Sequence, residues 1–171
     1  MGKLIGMCLI LGGCAGLLAS WRCAQKKRQA QAAELIRLFA QWEYSIERER
    51  LRLYEFLEGY PCSQPQIHAF LEALLIELRS KEYPSGVRLW QQLLNKNCSR
   101  LNLDRDIWEL LWSADGAFFG TSSRESLRCA AACRGRIEEC LKRQQTEFLK
   151  RQKVYMPVGM LAAVLLIILL I

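Results

Sequence analysis

The chain has 171 residues, 51% of them apolar and 24% charged, with a formal net charge of +7. Its Leu and Trp content excludes a disordered chain, the lack of an internal period excludes a repeat architecture, and the segregation of its charges argues against a simple soluble enzyme. Every Asp and Glu, and every Lys and Arg except Lys3, lies between Arg22 and Lys153.

The first element is the charge-free run Leu4–Trp21. As a helix it would reach roughly 27 Å, close to the hydrocarbon thickness of a bilayer. Gly12 and Gly16 in it have the spacing of a close helix–helix approach. Two rival readings concern its processing. A cleaved signal peptide is one; the other is a lipoprotein box at Leu11-Gly12-Gly13-Cys14, with Cys14 lipidated. The apolar run continues past that box to Trp21, and the basic stretch Arg22, Lys26, Lys27 and Arg28 that follows opposes export. Myristoylation at Gly2 fails for want of Ser or Thr at position 6, which is Gly6.

From Ala30 to Leu57 the apolar residues Leu35, Phe39, Trp42, Ile46, Leu53 and Phe56 form one stripe, which predicts a single long helix. Glu58–Pro65 breaks it with one Gly and two Pro. Gln66–Lys81 reads as a helix with a wide apolar face, and Tyr83-Pro-Ser-Gly86 as the next break. Val87–Asn95 follows, then a polar turn, then a helix over Asp104–Ala114 with Asp104 as its N-cap. Gly116–Gly120 reads as a break. Ser122-Ser-Arg-Glu125 has the spacing of a capping box and starts the last helix. Its stripe of Leu127, Ala130, Ile137, Leu141 and Phe148 runs without a breaker as far as Pro157.

The last element, Tyr155–Ile171, is again charge-free and roughly 25 Å long as a helix. Lys142, Arg143, Lys150, Arg151 and Lys153 precede it. Both runs thus have their basic residues on the side of the central block, and the positive-inside rule assigns residues 22–154 to the cytosol and both termini to the far side. Residues 29–141 hold 14 Lys and Arg against 16 Asp and Glu. The excess positive charge therefore belongs to the membrane edges, among them Arg22, Lys26, Lys27, Arg28, Lys150, Arg151 and Lys153, and gives no reason to expect nucleic acid.

Little in the chain points to catalytic chemistry. His68 is the sole histidine and has no nucleophile in a recognisable motif. Eight cysteines are present, of which Cys129, Cys133 and Cys140 share one helix face, a pattern that leaves a thiol sensor open as an alternative. No CxxC pair, phosphate loop, dinucleotide fingerprint, nucleophile elbow or zinc-protease motif occurs. The reading names no catalytic residue, no metal ligand and no cofactor. It gives an all-α fold: a transmembrane helix over 4–21, an antiparallel cytosolic bundle over 22–154 and a second transmembrane helix over 155–171.

This layout resembles the stage III sporulation protein AB family of endospore-forming Firmicutes along the whole chain. The most specific stretch is Gly116-Ala-Phe-Phe-Gly120-Thr-Ser-Ser-Arg124-Glu125, which looks like the family's Gly-x-x-Leu-Gly-x-Ser/Thr-Asp-Arg-Glu segment. Phe119 stands for Leu, Ser123 for Asp, and Leu127 where the family has Gln. The resemblance implies a membrane component of the channel between mother cell and forespore. It also implies a soluble domain similar to the cytosolic domains of the type II secretion and type IV pilus inner-membrane platform protein, which docks a hexameric secretion ATPase. The expected partners are that cytosolic ATPase, other membrane channel subunits and the lipid bilayer. The expected contact residues are Gly116, Phe119, Gly120, Ser122, Arg124 and Glu125.

Overall fold

A computed structural model of the chain describes the backbone of residues 2–80, 85–98, 100, 101 and 103–170; side chains at 2–11, 14, 15, 17, 18 and 151–170 lie outside the description. The described residues form seven α-helices and no strand. These are α1 (Gly2–Tyr44), α2 (Leu53–Gly59), α3 (Pro65–Ser80), α4 (Gly86–Asn97), α5 (Arg105–Trp112), α6 (Asp115–Phe119) and α7 (Ser123–Leu170). The all-α expectation holds. The chain divides into two compact units, one of residues 27–141 and one of residues 1–26 with 142–171.

In the larger unit, local sequence explains most of the helices. Pro65 opens α3, where its missing N–H costs nothing, and Ile67, Phe70, Leu71 and Leu74 turn one face inward. Ser85 caps α4 by accepting a bond from the Arg88 N–H at 3.3 Å. Trp90, Phe39, Leu38, Ile67, Leu74, Leu94, Ile107 and Ile137 are the largest fully buried side chains. Each stabilises the unit by about 1.5–3 kcal/mol relative to exposure. Trp90 is part of the aromatic set, its ring 5.3 Å from Phe70 and 5.0 Å from Phe118. Gly86 is glycine because a Cβ there would fall inside the Phe119 ring, 2.1 Å from Cδ1.

The expected single helix over Ala30–Leu57 is corrected. α1 ends at Tyr44, a π-helical turn occupies Ser45–Glu49, and Arg50 takes a left-handed conformation (φ 53°, ψ 33°). The Leu51 N–H then donates to the Ser45 carbonyl at 3.3 Å, and α2 starts afresh at Leu53. The reversal returns Phe56 to the core, 5.0 Å from Trp42. Gly116–Gly120, expected as a break, lies largely in α6, a short helix held by the burial of Ala117 and Phe118. Asp104 does occupy the N-cap position of α5. Its carboxylate makes no cap bond and accepts instead from Arg28 Nη1 at 3.0 Å.

In the smaller unit, Trp21 and Phe148 stack with centroids 5.0 Å apart. Among the described residues no helix is long and apolar enough to cross a membrane. Of the two expected spans, 155–171 and most of 4–21, Cys14 included, fall on side chains outside the description.

Candidate functional site

The turn from α6 into α7 is assembled from the core outward. Trp42 Nε1 donates to the Ala117 carbonyl at 2.7 Å, and the Phe118 ring lies 5.5 Å from Phe39 and 6.1 Å from Trp42. Gly120 has ordinary backbone angles (φ −61°, ψ 151°), so the need for glycine is spatial. A Cβ there would lie 2.7 Å from the Gly116 carbonyl oxygen and 2.7 Å from Ser126 Oγ. Gly116 in turn sits close to Cys129, whose Sγ would be 3.2 Å from an added Cβ.

The helix start is capped twice. Ser122 Oγ accepts from the Glu125 N–H at 3.2 Å. The Glu125 carboxylate accepts from the Thr121 N–H at 3.0 Å and from the Thr121 hydroxyl. These bonds hold its carboxyl below the usual range. The predicted capping box is thus present in kind, with Glu125 reaching one residue further back than the standard pattern.

Of the six expected contact residues, Gly116 and Gly120 close the turn, Phe119 packs over Gly86, and Ser122 and Glu125 cap α7. Arg124 is exposed and makes no ion pair or hydrogen bond among the described residues. Among the expected membrane-edge cations, Arg22, Lys26, Lys27 and Lys150 are exposed, whereas Arg28 is paired with Asp104. Arg151 and Lys153 lie outside the described side chains.

The cysteines and His68 have plain surroundings. His68 is exposed, with Nδ1 3.5 Å from Glu72 one turn along. Burial pushes the Cys133 thiol up to about 11, and the neighbouring Cys129 adds to the effect. A thiol pushed upward is a poorer nucleophile than an ordinary one, so Cys133 itself does not suit a redox sensor. No group of three His, Cys, Asp or Glu among the described residues could hold a metal ion.

Two features have little or no local sequence signal. Buried Glu34 accepts from the Tyr60 hydroxyl at 3.0 Å and from the Ser63 N–H at 3.1 Å, fastening the loop after α2 to α1. The π-helical turn opens a cleft of about 420 Å³ between α1 and α2, with Arg37, Tyr44, Glu49 and Phe56 among its walls. Only the missing apolar residue in Glu47-Arg-Glu-Arg50 hinted at that turn.

Fold and site together define a helical protein whose most specific segment is a closely packed, doubly capped turn leading into its last helix. Taken over its length, the chain belongs to the stage III sporulation protein AB family: the family description, Stage III sporulation protein AB (spore_III_AB), matches residues 3–171. Its role therefore lies in stage III of sporulation. No curated protein and no solved structure matches the chain.

Proposed function

We propose that the chain is a non-catalytic membrane platform of a secretion-like channel between mother cell and forespore, and that its larger helical unit docks a cytosolic secretion ATPase. In this reading residues 4–21 and 155–171 cross the mother-cell membrane, where other channel subunits surround them. The basic flanks favour the cytosol for the block between, and no nucleic acid takes part. The coupling is mechanical: movement of the ATPase presses on the helices at the docking site.

The observation that supports docking is Arg124. It is an exposed cation without a partner among the described residues, in the first turn of α7, where Thr121, Ser122 and Glu125 are already spent on caps. An exposed, unpaired cation beside a capped turn suits an acidic patch on a partner. The test is capture of the cognate ATPase by the full chain in detergent. Arg124→Glu should weaken capture by about tenfold or more while Arg48→Glu, on the π-helical turn, leaves it unchanged. No capture by folded wild-type chain overturns the proposal.

A further inference from the structure

The stacked pair Trp21 and Phe148 joins α1 to α7 in the smaller unit, with an interplanar angle of 21°. The pair is not sealed from solvent: Trp21 is 44% exposed, and Leu149, next to Phe148 in the chain, is 59% exposed. Arg22 and Lys26 follow the indole on α1; Lys142 and Lys150 flank the phenyl ring on α7, and all four are exposed. No Asp or Glu occurs before Glu34, and Glu147 is the one carboxylate between Lys142 and Lys153. On the other side of the aromatic pair the charges stop: Leu4–Ser20 and Val154–Ile171 carry none.

Such a surface has two requirements at once. Its exposed ring and Leu149 favour an apolar environment, and its four cations favour phosphate oxygens within a turn or two. The abrupt end of the charges gives the arrangement a plane. A dissolved polyanion would satisfy the cations and leave Trp21 and Leu149 in water. The boundary of an anionic bilayer satisfies both.

We infer that Trp21, Phe148 and Leu149, ringed by Arg22, Lys26, Lys142 and Lys150, form a collar that binds anionic phospholipid head groups. This rests on the membrane placement proposed above. The collar selects the charge of the surrounding lipid, and the ring pair fixes the depth at which the two helices sit.

The test uses the full chain in neutral detergent, titrated with bromo-acyl phosphatidylglycerol or bromo-acyl phosphatidylcholine, with tryptophan quenching as the readout. Phosphatidylglycerol should quench at a mole fraction about tenfold lower or less, and Trp21→Phe should remove that early component. Each change of Arg22, Lys26, Lys142 or Lys150 to Gln should weaken the preference about twofold, and the quadruple variant should bring the two lipids to near parity. Coincident curves for the two lipids, with helix content intact, overturn the inference, as does a preference erased by millimolar inorganic phosphate. Flotation with phosphatidylcholine vesicles after an alkaline wash separates the two claims. A chain that floats but shows no preference refutes the collar alone; a chain that enters no bilayer refutes the membrane placement as well.

Discussion

Arg134 of α7 grips Glu43 of α1 with two hydrogen bonds, Nε to Oε1 at 2.8 Å and Nη2 to Oε2 at 3.3 Å. Its remaining nitrogen reaches Glu138 at 3.0 Å, and the hydrogen bonds to Glu43 raise the pKa of the guanidinium above its ordinary value. Both partners are half-buried, so the pair is shielded from salt better than a surface bridge. Lysine keeps the charge and loses the fork. Arg134→Lys should therefore cost about 1 kcal/mol and lower Tm by about 2–4 °C, as measured by circular dichroism melting of the full chain. An unchanged Tm would mean that the fork contributes nothing beyond its charge.

Trp42 ties the C-terminal part of α1 to α6 through the bond from its indole N–H to the Ala117 carbonyl. Trp42→Phe keeps most of the apolar volume and leaves that buried acceptor unpaired. The expected loss is about 1–3 kcal/mol, read from the urea midpoint at constant m. Trp90→Phe removes the bond to the Leu111 carbonyl, but that oxygen keeps the Ala114 N–H at 3.1 Å, so the hydrogen-bond part of the loss should be smaller than at Trp42.

Helices α3, α4 and α5 were legible in the sequence because their signals act within a turn or two: Pro65 at an N-terminus, Ser85 as a cap, apolar residues every three or four positions. The break after Tyr44 was hidden by the same periodicity. The reversal at Arg50 brings Leu53 and Phe56 back to the core that Trp42 already faces, so the stripe continues where the helix does not. Two glycines made Gly116–Gly120 look like a loop, yet burial of Ala117 and Phe118 outweighs the helix penalty of Gly116, and Gly120 lies just past the helix end. At the candidate site, the caps on α7 could be read from Ser122 and Glu125. The diversion of Asp104 to Arg28, 76 residues away, had no local trace.

The two kinds of glycine in this protein should respond oppositely to alanine. At Gly120 an added Cβ meets backbone oxygen and Ser126 Oγ, each at 2.7 Å, so the turn must open; Gly120→Ala should cost about 1–3 kcal/mol. At Gly135, exposed within α7, nothing lies within 4 Å of an added Cβ. Gly135→Ala should raise stability by about 0.5–1 kcal/mol through helix propensity. Thermal melts of the two variants beside wild type check both signs. Equal effects would show that α7 does not behave as a plain helix at Gly135.

The buried thiols and phenol set the alkaline limit of the larger unit. Cys133 is 9% exposed and holds its proton up to about 11, while a thiol in the unfolded chain ionises at about 8.5. Cys62 and Tyr60 shift upward too, chiefly by burial. Between these limits the folded state binds more protons than the unfolded state, so stability must fall as pH rises. The urea midpoint should stay level from pH 6 to about 8 and decline from there to about 11. Cys133→Ala should make that decline shallower without removing it, since Cys62 and Tyr60 pull in the same direction. Alkylation followed by peptide mapping gives an independent check at pH 8: exposed Cys23 and Cys98 should react well before Cys133, whose thiol is both shielded and protonated. Early modification of Cys133 would show that the α7 face around it opens far more readily than its burial requires.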